Sequence, residues 1–270
     1  MIPKIIHQTY KDHHLPNNYW KEYHLKWRLL HQTPEWVHKF WTDKDNDSLI
    51  KYSFPWLWKT YQSFPYKINK VDCARIAYMY LYGGVYADMD LEPQKSIHPL
   101  LKIIERQKDC FGIGQCLRQD FEISFIISSP GHPFWYFVLK QYRAALHGWK
   151  EYLRYLSADA HVLFLTGPNF IRNCFLEYSK KFNCRIFFIN LHWRKPFLED
   201  DYVIHHNSVS WIKGPAVKFC LHTQRFLHDF LYVEQITALI ASVSLCIILS
   251  LLFMAFLYYQ IYKRFFCPTY

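Results

Sequence analysis

The hydrophobic pattern of the chain changes period several times, and each change marks an element. Ile2, Ile5 and Ile6 lie in a short apolar run, Ile2 to Gln8, that predicts a first strand ahead of the polar turn Lys11–Pro16. Tyr19, Tyr23, Leu25, Trp27 and Leu30 recur at helical spacing and predict a helix over Tyr19–Leu30. After Pro34, Trp36 to Trp41 alternates as a second strand that ends at Thr42-Asp43. Asn69 to Tyr82 reads as a helix, with Val71, Ala74, Ile76, Ala77, Tyr78, Tyr80 and Leu81 on its apolar side. Gly83-Gly84 ends it where the chain must enter the left-handed region. Val85–Ala87 is then a very short strand running into Asp88-Met89-Asp90. Further on, Phe121–Ile127 and Arg185–Ile189 predict strands and Pro133–Leu146 a helix, so the whole predicts an α/β domain.

Near the other end, Ile236 to Tyr259 runs for 24 residues without a charge, between Glu234 and Lys263-Arg264. A helix of that length spans about 36 Å, so a single transmembrane helix is expected, with a buried core helix as the alternative. Tyr258, Tyr259 and Tyr262 stand where an interfacial aromatic belt would, and Lys263-Arg264 favours a cytosolic tail. The expected organisation is a catalytic domain over 1–215, a juxtamembrane linker over 216–235, the membrane helix over 236–259 and a short tail over 260–270. That predicts a single-pass protein of the Golgi or endoplasmic reticulum with a luminal catalytic domain. No signal-peptide pattern is visible at the start.

Composition narrows the chemistry. Aromatic residues make up 20% of the 270, too many for a disordered chain. The formal charge of +10 is scattered, with no compact basic block, so no nucleic-acid partner is expected. None of the 8 cysteines forms a C-x-x-C pair, which speaks against a zinc ribbon. Cys110 with Cys116, or Cys174 with Cys184, could bridge, though their spacing does not require it.

The candidate chemistry sits at Asp88 and Asp90. Residues two apart on a pleated strand share a face, so both carboxylates can point to the same side where the strand ends. Such a pair can hold Mn²⁺ or Mg²⁺, which in turn neutralises a diphosphate leaving group. Alone, the D-x-D triplet reads more readily as a solvated turn; the Tyr82–Tyr86 context, a glycine turn feeding a strand, is what favours a site. Neither G-x-G-x-x-G nor a P-loop occurs. A two-metal nuclease or phosphatase would want a denser set of carboxylates and histidines. A non-catalytic scaffold or partner subunit is the alternative outside enzymes.

Five blocks carry a resemblance. They are Ile2–Thr9 (IPKIIHQT), Trp41-Thr42-Asp43, Asp72–Asp90 (DCARIAYMYLYGGVYADMD), Thr166-Gly167-Pro168 and His205–Trp211 (HHNSVSW). In this order, over roughly residues 1–212, they resemble the glycosyltransferases with a DXD sugar-binding motif, family 32. That group includes fungal initiating α-1,6-mannosyltransferases and inositol phosphoceramide mannosyltransferases. The resemblance implies a GT-A-like fold with a mixed sheet, a nucleotide-sugar donor and transfer with retention. It implies Asp88 and Asp90 as metal and diphosphate ligands, Asp72 and Arg75 as a donor-binding pair and Asp43 near the nucleotide. It also implies His206 as a third metal ligand, although Asn207 and Val209 depart from the family pattern around it. Asp72 with Arg75 reads otherwise as a local ion pair, His206 as a loop histidine, and Asp45 and Asp47 as solvated loop residues. His7 is expected to pack beneath the nucleotide site rather than titrate. The inositol phosphoceramide enzymes fit best, implying GDP-mannose as donor, a membrane sphingolipid acceptor at the bilayer and a regulatory membrane subunit as partner. Transfer to a glycoprotein glycan from a GDP- or UDP-sugar is the alternative.

Overall fold

The sheet grows outward from Ile5–Thr9 (β1), which lies between two parallel neighbours, Val37–Trp41 (β2) and Gly84–Ala87 (β3). Glu122–Ser128 (β6) pairs antiparallel with β3, and Cys110–Gln115 (β5) pairs antiparallel with β6. Arg185–His192 (β7) runs parallel to β5 and Val203–His205 (β8) parallel to β7. Leu91–Pro93 (β4) closes the row antiparallel to β8. The order is therefore β2-β1-β3-β6-β5-β7-β8-β4, eight strands of mixed direction. This computed structural model describes residues 1–16, 18–115, 121–148, 158–192 and 201–206, all of them in a unit spanning Met1–Trp211.

Strand alternation sends side chains to two cores. Ile6, Val85, Phe125 and Ile127 face one side, where Trp27 of helix Tyr19–Leu30 (α1) and Leu101 of His98–Glu105 (α5) cover them. Tyr86 and Ile126 face the other, beneath Asp43–Ser53 (α2), Pro55–Gln62 (α3), Lys67–Leu81 (α4) and Pro133–Leu146 (α6). Ala158–Leu165 (α7) and Pro168–Tyr178 (α8) add to that layer through Leu165, Phe170 and Ile171. Helix α4 is the central one. Every residue from Asp72 to Met79 is buried, so its polar members must find partners inside the protein.

Two histidines secure the frame in neutral form. The His31 ring donates from Nδ1 to Trp27 O at 3.0 Å, and its Nε2 accepts the Ile97 N–H at 3.0 Å, which ties the end of α1 to the start of α5. His7 Nε2 donates to Gly83 O at 3.0 Å while Nδ1 accepts from Trp41 Nε1 at 3.1 Å, and its ring stacks on Tyr78. Burial lowers His7 to about 3 against the opposing Gly83 hydrogen bond. Burial likewise lowers His31 to about 4, against the bond to Trp27. His7 is thus a structural member of an aromatic stack.

One expectation is corrected. Among the described residues no helix is long and apolar enough to cross a membrane, and residues 236–259, on which the membrane helix rested, lie outside the described residues. The described residues accordingly form a mixed-sheet α/β domain, consistent with the expected GT-A-like fold, with no membrane helix among them. The single-pass, Golgi or endoplasmic-reticulum placement that depended on it is withdrawn. Cys110, Cys174 and Cys184 are free thiols, so Cys174 and Cys184 do not bridge.

A pH dependence follows. A histidine whose pKa is lowered on folding contributes its full stability above the unfolded value near 6.5 and loses it as pH falls toward the folded value. At pH 5 the loss is about 2 kcal/mol for each of His7 and His31. Asp72, raised by burial to about 6, works in the opposite direction and returns part of this loss. We predict a denaturation midpoint that falls from pH 6.5 to pH 5. In His31→Gln that slope should be shallower by about 1 kcal/mol per pH unit. An unchanged slope in the variant would contradict the neutral buried ring.

Candidate functional site

The site begins with the turn out of α4. Gly83 has φ +60° and Gly84 φ +87°, and the Gly83 N–H returns to Met79 O at 3.2 Å. A Cβ on Gly84 would fall 2.5 Å from Ile5 O, so only glycine lets β3 lie against β1 here. β3 then delivers Asp88, whose N–H continues the ladder to Ser124 O at 2.9 Å. Asp88–Leu91 is a turn, closed by Leu91 N–H to Asp88 O at 3.1 Å. Asp88 and Asp90 therefore sit on a turn beyond the strand rather than on the strand itself.

Beneath the turn lies a buried ionic chain. Arg75 Nη2 is 3.2 Å from Asp72 Oδ1, and Arg75 Nη1 is 3.4 Å from Asp88 Oδ2 and donates to Ile123 O at 2.9 Å. The guanidinium lies over the Tyr86 ring, 4.7 Å from its centroid, and the Tyr86 hydroxyl donates to Asp88 Oδ1. Asp72 accepts from Thr166 Oγ1 through its other oxygen at 2.8 Å. Burial pushes the Asp88 carboxyl up, Arg75 pulls it down, and the charge of Asp90 pushes it up again. Asp72 is raised to about 6 by burial, against Arg75 and the Thr166 hydrogen bond. Two carboxylates that repel each other across one turn are a setting that a cation relieves.

Asp90 lies near β8. Its Oδ1 is 3.6 Å from His205 Nε2, and its carbonyl accepts the His206 N–H at 3.1 Å. The His206 ring is turned elsewhere: Nε2 is 2.8 Å from Glu92 Oε2, and the ring stacks on Tyr23 at 4.7 Å. Lys26 binds the other Glu92 oxygen. Burial pushes Glu92 up, yet Lys26 and His206 outweigh it and hold the carboxyl low. Tyr23 is raised to about 12 by burial and by the charge of Glu92.

Asp43 opens α2 beyond the end of β2, two strands away from β3. Its Oδ2 is 3.8 Å from Lys67 Nζ; burial raises it, with Lys67 opposing. Asp45, expected in a solvated loop, forms a capping box with Thr42 and orients the start of that helix. Of the expected site residues, the structure brings Asp72, Arg75 and Asp88 into one chain and leaves Asp43 apart. It sets His205, not the ring of His206, beside Asp90. His205, Glu92 and Tyr86 were not singled out from sequence. His205 was legible only as half of a histidine pair, because the register of the three-residue β8 decides which ring faces Asp90.

Among the described residues, no group of three or more His, Cys, Asp or Glu side chains is arranged to hold a metal ion. The donor chemistry nonetheless suits a hard divalent cation, since such ions are often held by one or two carboxylates with substrate phosphates completing the shell.

Comparison with known proteins finds glycosyltransferases. Residues 17–108 match the glycosyltransferase sugar-binding region containing DXD motif, a stretch that includes Asp43, Asp72, Arg75, Asp88 and Asp90. The chain is 32% identical to a mannosyl phosphorylinositol ceramide synthase of Saccharomyces cerevisiae over 182 residues, 67% of this chain and 44% of that protein. It is 30% identical to an inositol phosphoceramide mannosyltransferase of Schizosaccharomyces pombe over 179 residues, 66% of this chain and 52% of that one. An uncharacterized glycosyltransferase of Acanthamoeba polyphaga mimivirus is 26% identical over 82% of this chain and 87% of its own length. The chain thus spans about half the length of the two yeast relatives. It carries a DXD-containing glycosyltransferase sugar-binding region and is similar to the yeast inositol phosphoceramide mannosyltransferases, and the presence of that region supports metal-dependent transferase activity.

Removing one partner from a buried ion pair costs about 3–5 kcal/mol because the other charge is left unmatched. We predict a loss of that size in Arg75→Met by urea denaturation, with part of it regained in Arg75→Met/Asp72→Asn. If the second substitution regains nothing, the ionic chain does not act as a unit.

Proposed function

We propose that this chain belongs with glycosyltransferase family 32 and transfers mannose from GDP-mannose to the headgroup of inositol phosphoceramide, with retention at the anomeric carbon. The observation that carries the reading is the grip of Arg75 on Asp88, one turn from Asp90, at the end of β3. That grip fixes one carboxylate of the DXD pair while the Tyr86 hydroxyl fixes its orientation. The mannose and lipid assignments are supported by the named activities of the two yeast relatives.

In this reading Asp88 and Asp90 supply the oxygen ligands for Mn²⁺ or Mg²⁺, with His205 beside Asp90 as the nearest imidazole. His206 joins them as a third ligand only on release from Glu92. The cation, when bound, supplies the positive charge that a departing diphosphate requires. Arg75 and Asp72 hold the floor of the site and orient the sugar-phosphate of the donor. Asp43, at the end of β2, serves the nucleoside side. The glycine turn keeps backbone close to β1 and leaves both carboxylates on the turn that follows β3, beyond the strand end, the side on which ligands of open α/β sheets bind.

The test is transfer by the full-length protein in detergent. It uses GDP-mannose beside a panel of UDP-sugars, Mn²⁺ present or chelated, and inositol phosphoceramide beside a mannose-ended glycan. We predict Mn²⁺-dependent mannosylation of the lipid, an α-linked product by NMR, and a loss of about 100-fold or more in Asp90→Asn. Preference for a UDP-sugar or for the glycan would overturn the donor or acceptor assignment. Transfer that ignores both chelator and Asp90→Asn would overturn the site.

A further inference from the structure

The connection between α7 and α8 consists of Thr166 and Gly167 alone. The N–H groups of both return to Val162 O, at 3.2 and 2.9 Å. A Cβ on Gly167 would lie 3.0 Å from Val162 O and 3.1 Å from Leu163 Cα, so the tightness of the turn depends on glycine. Pro168 then starts α8 at a position where the missing N–H costs nothing. The Thr-Gly-Pro sequence therefore makes a rigid corner, and the Thr166 side chain is fully buried at it.

The Thr166 hydroxyl lies between two residues of α4. It accepts from Asn69 Nδ2 at 2.8 Å and donates to Asp72 Oδ2 at 2.8 Å. An amide nitrogen can only donate, so Asn69 takes a lone pair of the hydroxyl and directs its proton to the carboxylate. Asn69 is fully buried and its carbonyl oxygen has no partner, a standing cost to stability that an apolar residue would not carry. Its N–H therefore has a use there that repacking the core would not serve. The bonds run without a break from Asn69 through Thr166, Asp72 and Arg75 to Asp88.

We infer that Thr166, oriented by Asn69, is a positioning residue for the transfer reaction: it fixes Asp72, which fixes the Arg75 guanidinium, which fixes Asp88. The inference rests on the reading of Asp88 as a carboxylate of the cation–diphosphate site. It gives the α7–α8 corner, far along the chain from the DXD turn, a direct hold on donor binding.

The test compares full-length wild type with Thr166→Val, which keeps the shape and loses the hydroxyl, and Thr166→Ser, which keeps the hydroxyl. Mn²⁺ binding is followed by the EPR signal of the free ion with GDP present, and kcat and KM are measured for donor and acceptor. Thr166→Val is expected to weaken Mn²⁺ binding by about 10-fold, the size of effect typical of outer partners of metal ligands, and to raise the donor KM without moving the acceptor KM. Thr166→Ser is expected to stay within about twofold of wild type. Should Thr166→Val fail to fold, Asn69→Leu, which removes the orienting donor, is expected to shift Mn²⁺ affinity in the same direction. Wild-type affinity in the variant that folds would overturn the relay while leaving the Asp88 reading intact. A wild-type protein that binds no Mn²⁺ would overturn that reading itself, and the relay with it.

Discussion

Arg75 carries a charge it cannot give up in a place that water hardly reaches, with only 3% of its surface exposed. An unpaired ion in such a position costs several kcal/mol even after the protein relaxes around it. The fold meets that demand with Asp72 on the same helix face, Asp88 at the end of β3, the Ile123 carbonyl of β6 and the face of Tyr86. Those partners come from three elements, so the guanidinium fixes how α4 sits on the sheet as much as it fixes any side chain. Helix, strand and turn are held in register by one group.

The same group sits at the edge of an acidic turn. Among the described residues Arg75 is shared between Asp72 and Asp88, Asp90 lies 3.6 Å from His205, and the nearby Glu92 is already engaged by Lys26 and His206. Burial and mutual repulsion both push Asp88 toward its protonated form, with Arg75 resisting. In the proposed function a divalent cation between the DXD carboxylates would relieve that repulsion and present positive charge to a diphosphate. On the proposed function, this is what connects the packing of α4 to the transfer chemistry.

Much of the fold was legible because period and punctuation agreed. The helix over Tyr19–Leu30 has the limits its periodicity predicts, and the glycine pair marks the end of α4 as expected. The elements that escaped are those whose residues look like something else. Helix α2 buries little beyond Leu49 and Ile50, so its sequence reads as polar loop, and Pro55 reads as a break although it starts α3. Strand β5 contains Gly112 and Gly114, which look like turn residues. They are small because Ile104, Ile189 and Leu191 press on them: a Cβ would fall 2.7 Å from Ile104 and 2.4 Å from Leu191. At the site, Asp72 and Arg75 could be paired from their spacing, whereas the choice between His205 and His206 turns on a strand register that no local pattern encodes.

The central claim is that the carboxylates of Asp88 and Asp90 hold a divalent cation shared with a diphosphate. A titration of Mn²⁺ into the full-length protein, with and without GDP, tests it most directly. The account predicts one equivalent of Mn²⁺, bound at least about 10-fold more tightly when GDP is present, since each partner completes the other's site. Binding of Mn²⁺ that is indifferent to GDP, or no binding in a folded protein, would contradict it.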